Sequence, residues 1–186
     1  HSAFNAGITV PDEGCGFSVS PSSKLAKEWA HVDVLIIDEV MSLNRRFVEA
    51  IQNTLHTSVF VDDCRRREMG PFCGMTVIMT GDPRQQVPIV PGANKGTLIS
   101  LCIHSSKLFD YFEQHHLCTN MRIHPSILFA HDDGTVQSMS NWILQIGNGE
   151  IQKNDLIVDG DHFVNIPSQF YCGDDLHDLT NRIFGD

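Results

Sequence analysis

Three carboxylates stand directly behind two apolar runs: Asp38 and Glu39 follow residues 32–37, and Asp82 follows residues 75–80 and Gly81. Hydrolysis at a phosphate needs one carboxylate to hold hydrated Mg2+ and a second group to orient and polarise the attacking water. Adjacent acids at the end of one strand supply both. Asp38 is then the Mg2+ partner, acting partly through water, and Glu39 the base that activates water, so the two are not interchangeable. On these residues alone a second reading stays open, because a strand that simply ends in solvated acids looks the same.

The stretch 81–91, Gly-Asp-Pro-Arg-Gln-Gln-Val-Pro-Ile-Val-Pro, is more specific. A glycine beside an acid lets backbone come close to a ligand, and the prolines beyond stiffen the exit. Gln85 is then held near a phosphate. Its amide can accept from a water and donate to a phosphate oxygen at once, which suits a sensor of the terminal phosphate. The alternative is a rigid surface turn.

The elements that must position these groups read as an α/β fold. Turn residues crowd the first twenty positions, which predicts a surface loop. Ser20 to Ser23 offer cap oxygens to a short helix ending at His31. Apart from Asp33, residues 32–37 are apolar without polar alternation, as in a parallel strand covered on both faces. Asn44 can cap a helix in which Phe47, Val48, Ile51 and Leu55 share one face while Arg45, Arg46, Glu49 and Gln52 face water. A second strand over 75–80 completes a βαβ unit. In an open α/β sheet ligands sit outside the carboxyl ends of the strands, so Asp38, Glu39 and Asp82 point into one crevice. Further helices are predicted over 108–112 and 136–146, the latter stopped by Gly147 and Gly149. After Asp155 the pattern predicts irregular structure.

At 186 residues and 41% hydrophobic content the chain has enough apolar surface for a core. No apolar run approaches the roughly 20 residues needed to cross a bilayer. The net charge of −10 argues against a broad nucleic-acid-coating surface, although a groove can grip one strand with a few cations, stacking groups and backbone amides. The six cysteines, Cys15, Cys64, Cys73, Cys102, Cys118 and Cys172, show no Cys-x-x-Cys spacing and are expected to be reduced and mostly buried, which fits an intracellular setting. The ten histidines are scattered and suggest no metal site. The chain opens on His1 without an initiator Met and is expected to be cut from something longer.

Taken in order, Asp38-Glu39, a helix, Pro71-Phe72-Cys73-Gly74, a strand and the 81–91 loop resemble motifs II and III of the PIF-type (petite integration frequency) superfamily-one DNA helicases. Leu117-Cys118-Thr119-Asn120-Met121-Arg122 resembles motif IV, and the opening His1-Ser2-Ala3-Phe4 is similar to the segment after motif I that touches single-stranded DNA. The likeness runs from His1 to about Gly149. It implies an incomplete RecA-like P-loop NTPase motor domain with a parallel sheet over residues 1–125, and a linker with the beginning of the next helicase region over 126–186. It also implies ATP and Mg2+ as cofactors, with Asp38 and Glu39 as the Walker B acids, Asp82 at the nucleotide, Gln85 as phosphate sensor and Arg122 as an arginine finger. A permanently charged fork of that kind stabilises charge on the transferred phosphoryl oxygens, worth on the order of 10³ or more in rate. His1 and Ser2 would touch DNA. The implied parent unwinds duplex DNA from single strands and junctions, in repair, recombination and telomere maintenance, at a nuclear or mitochondrial address.

Departures from the pattern bear on activity. No Gly-x-x-x-x-Gly-Lys-Ser/Thr phosphate loop occurs, so the Lys that holds the β- and γ-phosphates is absent from these residues. Pro83 replaces a usual Phe and Cys73 a usual Gly. The alternative to a motor fragment is an inactive remnant that keeps a fold or a DNA-binding surface. Arg65, Arg66 and Arg67 could contact DNA, but Asp62, Asp63 and Glu68 beside them favour a solvated loop with local ion pairs.

Overall fold

The computed structural model describes residues 10–119, 135–151, 153–158, 161–166, 168 and 176–185. The chain divides into two compact units, His1–Cys118 and Thr119–Asp186.

In the first unit, residues 10–23 run as turns and bends. Helix α1, Lys24–Trp29, begins where the Ser23 side chain accepts the Ala26 N–H at 3.2 Å, and buries Ala26 and Trp29. Strand β1, Val34–Ile37, is followed by a short 3-10 turn and then α2, Arg45–Thr54. The Asn44 side chain caps α2 by accepting the Arg46 N–H at 3.1 Å. The predicted apolar face is observed: Phe47, Val48 and Ile51 are buried, and Leu55 is fully buried in the wider π-helical turn, Leu55–Val59, that continues the helix. Thr54 ties the leading loop to α2, since its hydroxyl donates to Ala50 O and accepts the Phe17 N–H, both at 2.7 Å.

A single turn, α3 (Cys64–Arg67), and a 3-10 turn, Pro71–Gly74, lead into β2, Thr76–Met79. The two strands pair in parallel, with Val34 opposite Thr76 and Ile37 opposite Met79. The expected βαβ unit is therefore present. The core gathers on the Leu35 and Ile37 side of the sheet, where Val48, Ile51, Leu55, Phe60, Phe72, Met75 and Ile103 join them.

The expectation that both sheet faces are covered is corrected. Burial alternates along β1, with Val34 50% and Ile36 64% exposed, and Ile78 of β2 is 45% exposed on the same side. Successive side chains of a strand point to opposite faces, and among the described residues the core occupies one of them. Residues 108–112 form a 3-10 turn, Lys107–Tyr111, rather than an α-helix. A helix the pattern did not predict, α4 (Lys95–Leu101), is capped by Asn94, whose side chain accepts the Thr97 N–H at 2.9 Å.

In the second unit α5 spans Thr135–Asn148, running through Gly147 rather than stopping there; Gly149, at φ +70°, ends it with its N–H on Ile146 O at 3.0 Å. The irregular structure expected after Asp155 is not what is found. Strands β3 (Lys153–Val158) and β4 (Asp161–Val164) pair antiparallel, with Val158 opposite Asp161, and α6 covers Leu176–Phe184. The cysteine expectation also changes: Cys15, Cys64 and Cys118 are exposed, Cys102 is partly buried and Cys73 is fully buried, all as free thiols. Cys172 lies outside the described residues.

Candidate functional site

Parallel pairing continues one residue past each strand and sets Asp38 beside Thr80. The Thr80 N–H donates to Ile37 O and the Val40 N–H donates to Thr80 O, each at 2.9 Å. The Thr80 hydroxyl donates to Asp38 Oδ1, and the Glu39 N–H donates to the same oxygen at 3.0 Å. Oδ1 is thus engaged twice, whereas Oδ2 accepts no hydrogen bond among the described residues. Glu39 adopts a left-handed conformation (φ 51°, ψ 41°), which for a residue with a side chain costs on the order of 1–3 kcal/mol and concentrates at functional positions. Its carbonyl is held from both sides by Ser42, through the hydroxyl at 2.8 Å and the N–H at 3.1 Å. The Glu39 carboxylate is exposed and accepts nothing among the described residues.

Gly81 brings the second loop against the first. A Cβ built there would lie 2.9 Å from Met41 Cγ and 3.4 Å from the backbone nitrogens of Val40 and Met41, so only glycine allows this approach. Asp82 uses both oxygens inside its own loop: Oδ1 accepts the Arg84 N–H at 3.0 Å and faces its guanidinium at 3.5 Å, and Oδ2 accepts from Gln85 Nε2 at 3.3 Å. The Arg84 backbone N–H is the main reason the Asp82 carboxyl sits below its ordinary pKa; burial opposes it, and the Gln85 amide and the Arg84 side chain add to the lowering. Gln85 is exposed, with its amide oxygen unengaged among the described residues, and buried Pro88 anchors the loop exit.

The structure therefore brings Asp38, Glu39 and the Gly81 loop, with Gln85 on it, to one end of the sheet. Arg122, His1 and Ser2 lie outside the described residues. Among the described residues the ion pairs expected around Arg65, Arg66 and Arg67 are not found. The side chain of Asp63 instead caps α3 through the Arg66 N–H at 3.0 Å, the Arg66 guanidinium lies 4.5 Å above the Phe60 ring, and Arg67 Nη2 approaches Cys64 Sγ at 3.3 Å. One helical turn points these cations back at the protein, and only Arg65 is fully exposed.

Arg45 and Glu49, expected to face water, are also partly buried, with side chains 20% and 19% exposed. They pair at 2.6 Å, Arg45 reaches Ser100 O at 2.9 Å, and Ser106 donates to Glu49 at 2.7 Å beside an open cavity of about 470 Å³. Amphipathic spacing marks which residues are polar but not which loop folds over them. Thr80 was read only as the end of a strand. No signal along the chain marks it, because its place beside Asp38 follows from the register that sets Ile37 opposite Met79.

A protein-family model described as PIF1-like helicase matches residues 1–156, a span that includes Asp38, Glu39, Thr80, Gln85 and Arg122. No curated protein matches the chain.

Proposed function

The chain belongs to the PIF1-like helicase family, and from that premise we propose that it is part of a RecA-like motor domain whose ATP hydrolysis drives DNA unwinding. Helicase function, nucleotide use with Mg2+ and a DNA substrate come with the family as general properties. The specific assignments are ours: single strands and duplex junctions as substrate, service in repair, recombination and telomere maintenance, and action in the nucleus or mitochondrion.

The observation that carries the reading is the asymmetric binding of Asp38. With Oδ1 taken by Thr80 and the Glu39 N–H, Oδ2 remains for a hard cation that prefers oxygen ligands. A Mg2+ ion held there would suit a single carboxylate oxygen, since Mg2+ is usually bound through one or two carboxylates with water and substrate phosphate. Bound MgATP supplies the reactive phosphoryl group. Glu39, aimed outward by its left-handed backbone, orients and activates the attacking water. Gln85, tied to Asp82 by one N–H, keeps its amide oxygen and second N–H for the water and the terminal phosphate. Asp82 organises that loop at the nucleotide, Arg122 supplies charge to the transferred phosphoryl oxygens, and His1 and Ser2 contact single-stranded DNA.

The Lys of a phosphate loop is not among these 186 residues, so in this proposal it is contributed by sequence outside them. The 186 residues alone are expected to show ATP turnover at background. Robust turnover by the isolated chain, abolished by Glu39→Gln, would overturn that division of the site. A coding sequence whose upstream portion carries no Gly-Lys-Ser/Thr would instead favour the inactive remnant.

A further inference from the structure

We propose that Thr80 is a positioning residue for the divalent cation: its hydroxyl fixes the Asp38 carboxylate so that Oδ2, and not Oδ1, faces the metal. The inference rests on the reading of Asp38 as the Mg2+ partner and adds to it a residue that follows the other strand, just past Met79.

The geometry that supports it is local and redundant. Thr80 is pinned by its backbone at both ends, through its N–H to Ile37 O and its carbonyl to the Val40 N–H, so its hydroxyl is presented at a fixed height beside Asp38. A β-branched side chain has few χ1 choices, which keeps the donor there at little entropic cost. A free carboxylate rotates about its Cβ–Cγ bond and offers either oxygen. Here Oδ1 accepts from both Thr80 and the Glu39 N–H, and rotation would break both bonds at once. The same N–H belongs to the left-handed Glu39, so holding Oδ1 in place also holds the backbone that aims the Glu39 carboxylate. Hydrogen bonds to ligating carboxylates orient the ligand, and their loss typically costs about 10–100-fold in metal affinity.

Valine at position 80 keeps the branched shape and removes the donor, whereas serine keeps the donor. The test is a Mn2+ titration of the 186-residue chain, followed by paramagnetic broadening of the Glu39, Val40 and Gly81 amide signals, for the wild type, Thr80→Val, Thr80→Ser and Asp38→Asn. Localised broadening that Asp38→Asn removes, that Thr80→Val shifts to about tenfold or more higher Mn2+, and that Thr80→Ser restores to near wild type is the expected pattern. Broadening lost in Asp38→Asn but unchanged in Thr80→Val overturns the role of Thr80 and leaves Asp38 as the metal partner. Broadening unchanged in Asp38→Asn overturns the metal reading itself, and this inference with it. The amide signals of α2 report whether the fold is intact. Should Val disturb β2, Thr80→Ala makes the same comparison with less volume.

Discussion

Glu39, Phe72 and Cys73 all have positive φ. The φ of 53° at Cys73 lies in a region that glycine enters at no steric cost but a residue with a Cβ does not. The thiol is fully buried, and burial pushes its pKa up against the opposing pull of the Arg66 and Arg67 charges. It therefore stays protonated and shielded. In native protein, alkylation mapped by mass spectrometry is expected at Cys15, Cys64 and Cys118 well before Cys73, which should react only after denaturation. Early labelling of Cys73 would mean that the left-handed turn opens freely. The linkage sign follows: with the folded pKa raised, the contribution of Cys73 to stability is intact below the unfolded thiol value of about 8.5 and declines as pH rises above it. At this scale Asp38, Glu39 and Asp82 were legible because acids behind apolar runs are visible in one dimension. Thr80 was not, because its role exists only through the register of two strands.

At the scale of elements, the sequence spoke most clearly where capping and periodicity agreed. Asn44 and the Phe47, Val48, Ile51, Leu55 spacing located α2, and both features are observed. Asn44 is itself buried, so Asn44→Ala leaves the Arg46 N–H without its acceptor and should cost about 1 kcal/mol. Leu55→Ala should cost about 2–5 kcal/mol, since the side chain is fully buried in the core cluster. Urea unfolding of the two variants checks both magnitudes. The hairpin of β3 and β4 was missed although Asp159-Gly160, a strong two-residue hairpin signal, lies between the strands in sequence. The alternation around it is short and interrupted by charge. Helix α4 carries Leu98, Ile99 and Leu101 behind the Asn94 cap, a signal that Gly96 in its first turn weakens. Gly81 brings the loop after β2 against the loop after β1 and offers a sharper test. Gly to Ala at an ordinary φ usually stabilises slightly by restricting the unfolded chain. Here the contact with Met41 reverses the sign, and Gly81→Ala should lose about 1–3 kcal/mol in the same unfolding measurement. A gain in stability would mean that the loops are not in the close contact described.

For the whole molecule, a net charge of −10 and the inward-turned Arg66 and Arg67 argue that α3 is not the DNA grip. Replacing Arg65, Arg66 and Arg67 together by Ala should leave the salt dependence of single-strand binding unchanged, whereas loss of phosphate contacts would flatten its slope by roughly one per contact. Family membership reached further than the fold did: the family match covers residues 1–156, while β1, α2 and β2 form one βαβ unit. What ties molecule to residue is the claim that the Asp38 and Glu39 end of this sheet is the hydrolytic half of an ATP site. The most direct test is single-strand-stimulated ATP turnover by a protein in which this chain follows its phosphate loop, compared with the Glu39→Gln variant of the same protein. Removal of a general base predicts turnover lower by about 10²–10⁴-fold with nucleotide binding retained; turnover equal to wild type would contradict the account.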